Sequence, residues 1–154
     1  MPKSSAFPPM RTLSNGVTLC RGCDPANACR LGVSRLTVDS GSSTVTSSAQ
    51  CPGDWEGGPG VAHGGWIACI FDEALGMLPA RLDVPCVTAS LNVEFLKPVP
   101  IERLVVVSGR VESHVGRRWV VTGTMKLADD SAEVARAIAH LVEPRPEHFD
   151  KLRR

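Results

Sequence analysis

The sequence predicts a single α+β domain in which an antiparallel sheet wraps around one helix. A segment with apolar residues at helical spacing, 66–78, is followed by segments in which apolar and polar residues alternate, at 86–97 and 118–127. One helix cannot cover a whole sheet, so the remaining surface also predicts a symmetric dimer. At 154 residues the chain is long enough for one sizeable core and too short for two.

The helix is predicted between a glycine-rich loop and a proline. Residues 51–62 hold so many glycines and prolines that we expect no regular structure there. Pro79 is expected to end the helix, because proline has no N–H and its ring clashes with the preceding turn. The residues of the apolar face are Trp66, Ile67, Ile70, Phe71, Ala74, Leu75 and Leu78.

Turn residues predict two hairpins. Residues 31–50 are rich in Val, Thr and Ser and are interrupted at Ser40-Gly41-Ser42, which predicts two strands joined by a turn. Gly116 joins two further strands, predicted at 104–112 and 118–127.

Two segments are expected to complete the sheet or to lie against it. Residues 86–97 alternate strictly, which predicts a strand with one buried and one polar face. Residues 131–142 fit both strand and helical spacing, so the pattern alone leaves that segment open.

The ends of the chain are expected to lie outside the domain. We expect residues 1–19 to form a loosely ordered arm, residues 20–145 the domain, and residues 146–154 a tail. The first residues lack the apolar core of a signal peptide, and no apolar stretch is long enough to span a bilayer. These features predict a soluble, cytoplasmic protein.

The charge of the chain argues against two classes of partner. Seventeen basic residues face sixteen acidic ones, which gives a net charge of +1. Proteins that bind nucleic acid or anionic membrane surfaces usually carry a basic patch or a large positive charge. We therefore expect neither partner.

The six cysteines are expected to be reduced thiols rather than a disulfide framework. Cys20, Cys23 and Cys29 lie close together in the sequence, and a Cys-x-x-Cys pair can begin a zinc site. A closed structural site needs four ligands, and no second pair follows at a suitable spacing. A loop of small thiols is the favoured interpretation, and no metal is expected.

The main candidate for chemistry is Asp72, on the side of the predicted helix opposite its apolar face. Its neighbours along the helix are small, including Gly65 and Gly76, whereas exposed helix surfaces usually carry long charged residues. Either a ligand or second subunit packs there, or Asp72 is solvated at a seam between helices. Glu73 faces elsewhere and is the weaker candidate. Before Asp72 in the chain, the residues His63-Gly64-Gly65 leave bare backbone N–H groups at the start of the predicted helix.

Three motifs occur in order along the chain. They are Gly60-Val61-Ala62-His63-Gly64-Gly65, then Asp72-Glu73-Ala74-Leu75-Gly76, then Thr88-Ala89-Ser90-Leu91-Asn92-Val93-Glu94-Phe95-Leu96-Lys97-Pro98-Val99-Pro100.

With these motifs the chain resembles the hotdog-fold acyl-CoA thioesterases, and it is similar to the branch of 4-hydroxybenzoyl-CoA and phenylacetate-pathway thioesterases. The resemblance runs from about Cys20 to Val142 and implies that residues 131–142 form the last strand. It implies hydrolysis of an acyl-CoA substrate, with coenzyme A as part of the substrate and no other cofactor.

The resemblance also implies roles for individual residues. The Gly64 N–H would polarise the thioester carbonyl, and Asp72 would activate water or attack directly. Thr88 would help to hold the water, and His63 would shape the junction rather than carry a proton. Some relatives place an asparagine where this chain has Gly57, so a backbone group or a water would substitute for it.

The substrate contacts are less specific. Phosphates of coenzyme A would meet basic residues near strand ends, although such residues are usually only solvated. The acyl pocket would be lined by Trp66, Ile70 and Phe71. The substrate-binding candidates are His63, Gly65, Trp66, Glu73, Lys97, Arg117 and Arg118.

Helix geometry predicts that the site forms between subunits. The eight residues from Gly64 to Asp72 span about 12 Å, so the two cannot act on one carbonyl within one chain. We therefore expect a homodimer, or a dimer of dimers, in which one subunit supplies Gly64 and the other Asp72. A non-catalytic acyl-CoA-binding protein is the alternative, and a hotdog hydratase or dehydratase ranks below it.

Overall fold

The computed structural model describes Cys29, residues 31–82 and residues 84–150, and within them it shows a six-stranded antiparallel sheet around one long helix. The strands lie in the order β1-β2-β6-β7-β8-β5, and β3 and β4 form a separate small ladder. The predicted N-terminal arm, Cys20 and Cys23 lie outside the described residues. The elements are β1 Val33–Asp39, β2 Thr44–Gln50, β3 Glu56–Gly58, β4 Val61–Ala62, α1 Gly64–Arg81, β5 Val87–Phe95, β6 Leu104–Val115, β7 Arg118–Leu127, β8 Glu133–Val142 and α2 Glu147–Asp150.

Both predicted hairpins are present. The β1–β2 turn is held by Asp39, whose carboxylate accepts hydrogen bonds from the Gly41 N–H at 2.9 Å and the Ser42 hydroxyl at 2.7 Å. Gly116 turns β6 into β7 with φ of 57°, a left-handed conformation that glycine adopts without strain. The segment that the pattern left open is strand β8, as the resemblance implied.

The core lies between α1 and the inner face of the sheet. Gly109 and Gly123 are paired across β6 and β7, and a Cβ on either would come within 3.0 Å of the Leu75 side chain. The two glycines therefore let the helix approach the sheet closely. All seven residues of the predicted apolar face are buried: Trp66, Ile67, Ile70, Phe71, Ala74, Leu75 and Leu78.

The prediction that Pro79 ends the helix is wrong, since α1 continues to Arg81. Pro79 removes only one N–H, and its carbonyl accepts hydrogen bonds from Leu82 at 2.9 Å and Val84 at 3.0 Å. Pro79 and Ala80 are both buried, so packing of the last turn offsets the lost bond.

The prediction of no regular structure in residues 51–62 is also wrong. The segment holds a 3₁₀ turn at Gly53–Trp55 and the short ladder of β3 and β4. Two hydrogen bonds tie it down, from Ala62 N–H to the Val99 carbonyl at 2.7 Å and from His63 N–H to the Trp55 carbonyl at 2.8 Å. Glycines and prolines here shape a fixed loop that abuts the start of α1.

Strand β5 departs from the predicted half-buried pattern. Among the described residues it lies at the edge of the sheet and pairs only with β8. Val87, which is 44% exposed, pairs with Val142 and points away from the helix. On the helix side of β5, Leu91 and Val93 are partly buried, whereas Phe95 is 57% exposed. The apolar face of β5 is therefore incompletely covered by the described part of the chain. No helix in the described ranges is long and apolar enough to cross a membrane.

Candidate active site

His63 caps the N-terminus of α1. Its backbone is extended, with φ of −61° and ψ of 138°, and its ring Nδ1 accepts a hydrogen bond from the Gly65 N–H at 2.8 Å. The His63 carbonyl accepts from the Trp66 N–H at 2.9 Å. A Cβ at Gly65 would lie 2.9 Å from Nδ1, so this cap leaves no room for a side chain there. The ring thus fixes the first turn of the helix.

The Gly64 N–H is a hydrogen-bond donor without an acceptor among the residues that the structure describes. It lies in the first turn of an 18-residue helix, where the N–H groups carry partial positive charge. The ring of Phe95 is close by, with Cε1 and Cζ each 3.4 Å from the position that a Gly64 Cβ would take. Such a donor can accept the developing charge of a carbonyl oxygen.

Asp72 lies two turns further along α1 and is paired with Thr88. The Thr88 hydroxyl donates to Asp72 Oδ1 at 2.6 Å, and both residues are exposed. Asp72 Oδ2 has no partner among the described residues. One carboxylate oxygen is therefore held in place while the other can accept a proton.

A β-bulge at Ala89 is what brings Thr88 to Asp72. The β5–β8 register shifts between Thr88 and Ser90, so that Thr88 lies opposite Leu141 and Ser90 opposite His140. Opposed residues share a face of the sheet, and Leu141 is buried against the core. Thr88 consequently faces α1. Strict alternation would put it on the outer face with Ser90, and no residue type at 87–90 signals the extra residue.

The two chemical groups lie apart within one chain. Gly64 lies near Phe95 at the end of β5, and Asp72 is hydrogen-bonded to Thr88 near its start. Helix α1 is continuous between them, which separates their backbones by about 12 Å. One chain therefore holds two candidate half sites, one at each end of β5.

The side chains predicted to line an acyl pocket lie in the core. Trp66, Ile70 and Phe71 are 0% exposed. The indole N–H of Trp66 donates to the Leu31 carbonyl at 2.8 Å, which ties the helix to the segment before β1. These three side chains therefore have no exposed surface in this chain, and their place in an acyl pocket stays a prediction. Glu73 is partly buried and already has an interaction of its own.

The basic residues predicted to contact phosphate lie at opposite ends of the sheet. Lys97 follows the end of β5, whereas Arg118 is opposite Val142, which pairs with the first residue of β5. Seven residues of strand, about 23 Å, separate these two ends. Arg117 donates to the Glu143 carbonyl at 2.9 Å. All three are exposed, and within one chain they do not converge.

Gly57 packs against His63. A Cβ at Gly57 would lie 2.8 Å from His63 Cα and 3.2 Å from its nitrogen, closer than real Cβ contacts allow. An asparagine side chain therefore does not fit in this loop as it is folded. At this departure from the pattern of some relatives, the loop backbone packs directly against the helix cap.

The described cysteines are free thiols. Burial raises the pKa of the Cys51 thiol to about 11, and burial together with Glu143 raises the pKa of Cys86 to about 11. Cys29 and Cys69 are also unpaired. The described ranges contain no group of three metal-ligating side chains. The Cys20 and Cys23 pair lies outside those ranges.

Sequence comparisons find similarity to thioesterases. A family model described as Thioesterase superfamily matches residues 59–134. Acyl-coenzyme A thioesterase THEM4 of Rattus norvegicus is 33% identical over 92 residues, which make up 60% of this chain and 40% of that protein. The chain thus spans about two fifths of the length of this curated relative.

Two solved structures are also similar to this chain. A crystal structure described as a thioesterase superfamily protein has a TM-score of 0.72 at 26% identity, covering 86% of this chain and 69% of the other. A putative thioesterase from Ralstonia eutropha JMP134, described as phenylacetic acid degradation-related, has a TM-score of 0.68 at 25% identity, covering 77% and 89%. The antiparallel sheet around one helix is the hotdog fold, which confirms the predicted fold.

Proposed function

We propose that this chain hydrolyses an acyl-CoA to a carboxylic acid and free coenzyme A, because residues 59–134 match the Thioesterase superfamily model. The observation that carries the proposal is the Asp72 carboxylate, held on one oxygen by Thr88 at 2.6 Å. The unpartnered Gly64 N–H supports it, since thioester hydrolysis needs both a base and an oxyanion donor. The curated relative named above carries the same activity in its name.

In the proposed reaction the thioester oxygen accepts a hydrogen bond from the Gly64 N–H. Asp72 takes a proton from a water, and the resulting hydroxide attacks the carbonyl carbon. The tetrahedral intermediate collapses by breaking its carbon–sulfur bond, and the departing sulfur takes up the proton. Direct attack by Asp72 is the other route. The Asp72 carboxylate attacks the carbonyl carbon and displaces the thiolate, which leaves a mixed anhydride. Water that attacks the Asp72 carbonyl carbon of this anhydride would leave ¹⁸O in the Asp72 carboxylate after a single turnover in ¹⁸O water.

The two half sites become one site if β5 pairs with β5 of a second copy. The unpaired edge and exposed apolar residues of β5 suit such pairing. Antiparallel pairing about a two-fold axis at Asn92 sets Phe95 opposite the partner's Ala89, next to the partner's Thr88. The partner's Thr88 and Asp72 then lie beside Phe95 and Gly64. We therefore infer a homodimer with two sites, each built from both subunits.

The same pairing brings the basic residues of the two subunits to one end of the joint sheet, where they could bind one ligand. Lys97 of one subunit lies at the end of the joint sheet where the partner's Arg117 and Arg118 lie. Three strand spacings, about 14 Å, separate Lys97 from the partner's Arg118. The phosphates of a coenzyme A whose thioester reaches the site are the proposed occupants. A further pairing into a dimer of dimers is compatible with this arrangement.

The test is a thiol-release assay over a panel of acyl-CoAs, with a binding measurement on each. We expect wild type to release thiol and Asp72→Asn to lose two to four powers of ten, about the contribution of a general base, while it stays folded. Glu73→Gln is the matched control on the next residue, and it should keep most activity.

Other outcomes contradict the proposal. Tight binding of acyl-CoA without thiol release indicates a binding protein, and addition of water to an enoyl-CoA indicates a hydratase. Loss of activity in Glu73→Gln but not in Asp72→Asn reassigns the base.

A further inference from the structure

Phe95 is an aromatic side chain that the core does not use. Its side chain points to the helix side of the sheet, because it lies opposite Ala135, which is fully buried. Even so it is 57% exposed, whereas Phe71 on α1 is 0% exposed. A single exposed apolar side chain is common on protein surfaces, so the position of Phe95 relative to the candidate site decides what it can do.

The position of Phe95 relative to the proposed oxyanion donor is specific. Ring atoms Cε1 and Cζ are 3.4 Å from the place of a Gly64 Cβ, so the ring stands beside the unpartnered N–H. The backbone that carries it is fixed, since Leu96 N–H donates to the Val134 carbonyl at 2.9 Å and Lys97 N–H to the same oxygen at 3.1 Å. A carbonyl oxygen bound at Gly64 would place its attached carbons within reach of this ring.

We propose that Phe95 forms an apolar wall of the acyl-binding pocket and favours acyl groups of several carbons over acetyl. The inference rests on the proposed thioesterase function and deepens it. In the inferred dimer the ring also lies next to the partner's Thr88, between the two halves of one site. An acyl chain leaving the thioester carbon then packs on the ring and loses its contact with water.

The experiment compares kcat/KM for hexanoyl-CoA, phenylacetyl-CoA and acetyl-CoA in wild type, Phe95→Ala and Phe95→Leu. The readout is the ratio of each larger substrate to acetyl-CoA. A loss of stability or of the dimer lowers kcat/KM for every substrate by the same factor and leaves this ratio unchanged. Phe95→Ala should lower the ratio about tenfold, the effect of losing a contact with one or two carbon groups. Phe95→Leu keeps part of the apolar surface and should lie between.

Ile138→Ala is the matched control. Ile138 is an apolar residue of β8, 45% exposed, and it lies opposite Asn92 rather than on the helix side. Its removal should leave the ratio at the wild-type value. An unchanged or increased ratio in both Phe95 variants overturns the inference, while thiol release by wild type still supports the function. If wild type releases thiol from none of the substrates, the proposed function is wrong, and the inference about Phe95 is wrong with it.

Discussion

At Asp72 a single hydrogen bond determines how the carboxylate is presented. Thr88 donates to Oδ1 at 2.6 Å, and Oδ2 is left for a water or a thioester. Hydrogen bonds to charged groups contribute more than those between neutral groups, and they also restrict rotation of the carboxylate. The orientation of Asp72 is therefore set by a residue of the edge strand and not by its own helix.

Thr88→Val should lower kcat about tenfold or more, because it keeps the shape of the side chain but removes the hydroxyl that holds Asp72. Thr88→Ser should retain most of the activity. Ser90→Ala is the control, since Ser90 lies opposite His140 on the outer face and has no contact with Asp72. Equal losses in Thr88→Val and Ser90→Ala would contradict the assignment. Steady-state thiol release measures all three.

Cys51 should make stability depend on alkaline pH. Its thiol is 0% exposed, and burial raises its pKa from 9.0 to about 11. The neutral thiol is the form favoured in the folded chain, so this contribution is complete below pH 9 and is lost between pH 9 and about pH 11. The loss is roughly 2–3 kcal/mol of unfolding free energy. Urea unfolding at pH 8 and pH 11 measures the decline in unfolding free energy. Cys51→Ala should show a smaller decline than wild type, and an identical decline in the variant would refute the prediction.

At the scale of elements, the start of α1 is the best-organised part of the site. His63 caps the helix, the loop of residues 51–62 packs against His63, and the two glycines that follow leave their backbone accessible. The cap holds the first turn, and the first turn directs the Gly64 N–H. Helix stability and the direction of the proposed oxyanion donor thus depend on the same residue.

His63→Ala should lower the unfolding free energy by about 1 kcal/mol, because the Gly65 N–H loses its acceptor. His63→Asn should keep the stability, since asparagine is a good N-cap residue. If His63 only positions the turn, the asparagine variant also keeps most of kcat. A stable His63→Asn without turnover would instead give the imidazole a chemical role. Urea unfolding and thiol release decide between the two.

At the scale of the whole molecule, the structure is half of the proposed enzyme. Each chain carries both candidate half sites, one at each end of β5, and no other described strand pairs with the outer edge of β5. A two-fold axis through that edge would pair the edge strand and would also bring Gly64 of one subunit to Asp72 of the other. The dimer is therefore proposed as part of the mechanism and not only as a source of stability.

Complementation between two inactive variants should restore activity. Gly64→Pro removes the N–H at the first helical position, which tolerates proline, and Gly64→Ala is the control that keeps the N–H. Mixed with Asp72→Asn, Gly64→Pro forms heterodimers in which one site of two is intact. Random mixing makes half of the dimers heterodimers, so about a quarter of wild-type activity should return. A site within one subunit would return none.

Most of the fold could be predicted from sequence, because it follows from local chemistry. Alternation and turn residues predicted β1, β2, β6 and β7, and the seven apolar residues of α1 are those that the core buries. The last turn of the helix and the ladder in residues 51–62 were missed, because packing there overrides the preferences of proline and glycine. Residues 131–142 needed the family resemblance.

The sequence by itself determined which groups are available: a helix that buries one face, an aspartate among small residues on the other, and a glycine-rich cap. The tertiary structure alone decided which groups meet. The bulge at Ala89 turns Thr88 toward Asp72, and the ladder sets Phe95 beside Gly64. Periodicity predicts which face of the sheet a side chain occupies only while the ladder is regular. One extra residue moves the side chains beyond it to the opposite face. Such a reversal depends on the strand's partner, which lies some fifty residues away in the chain.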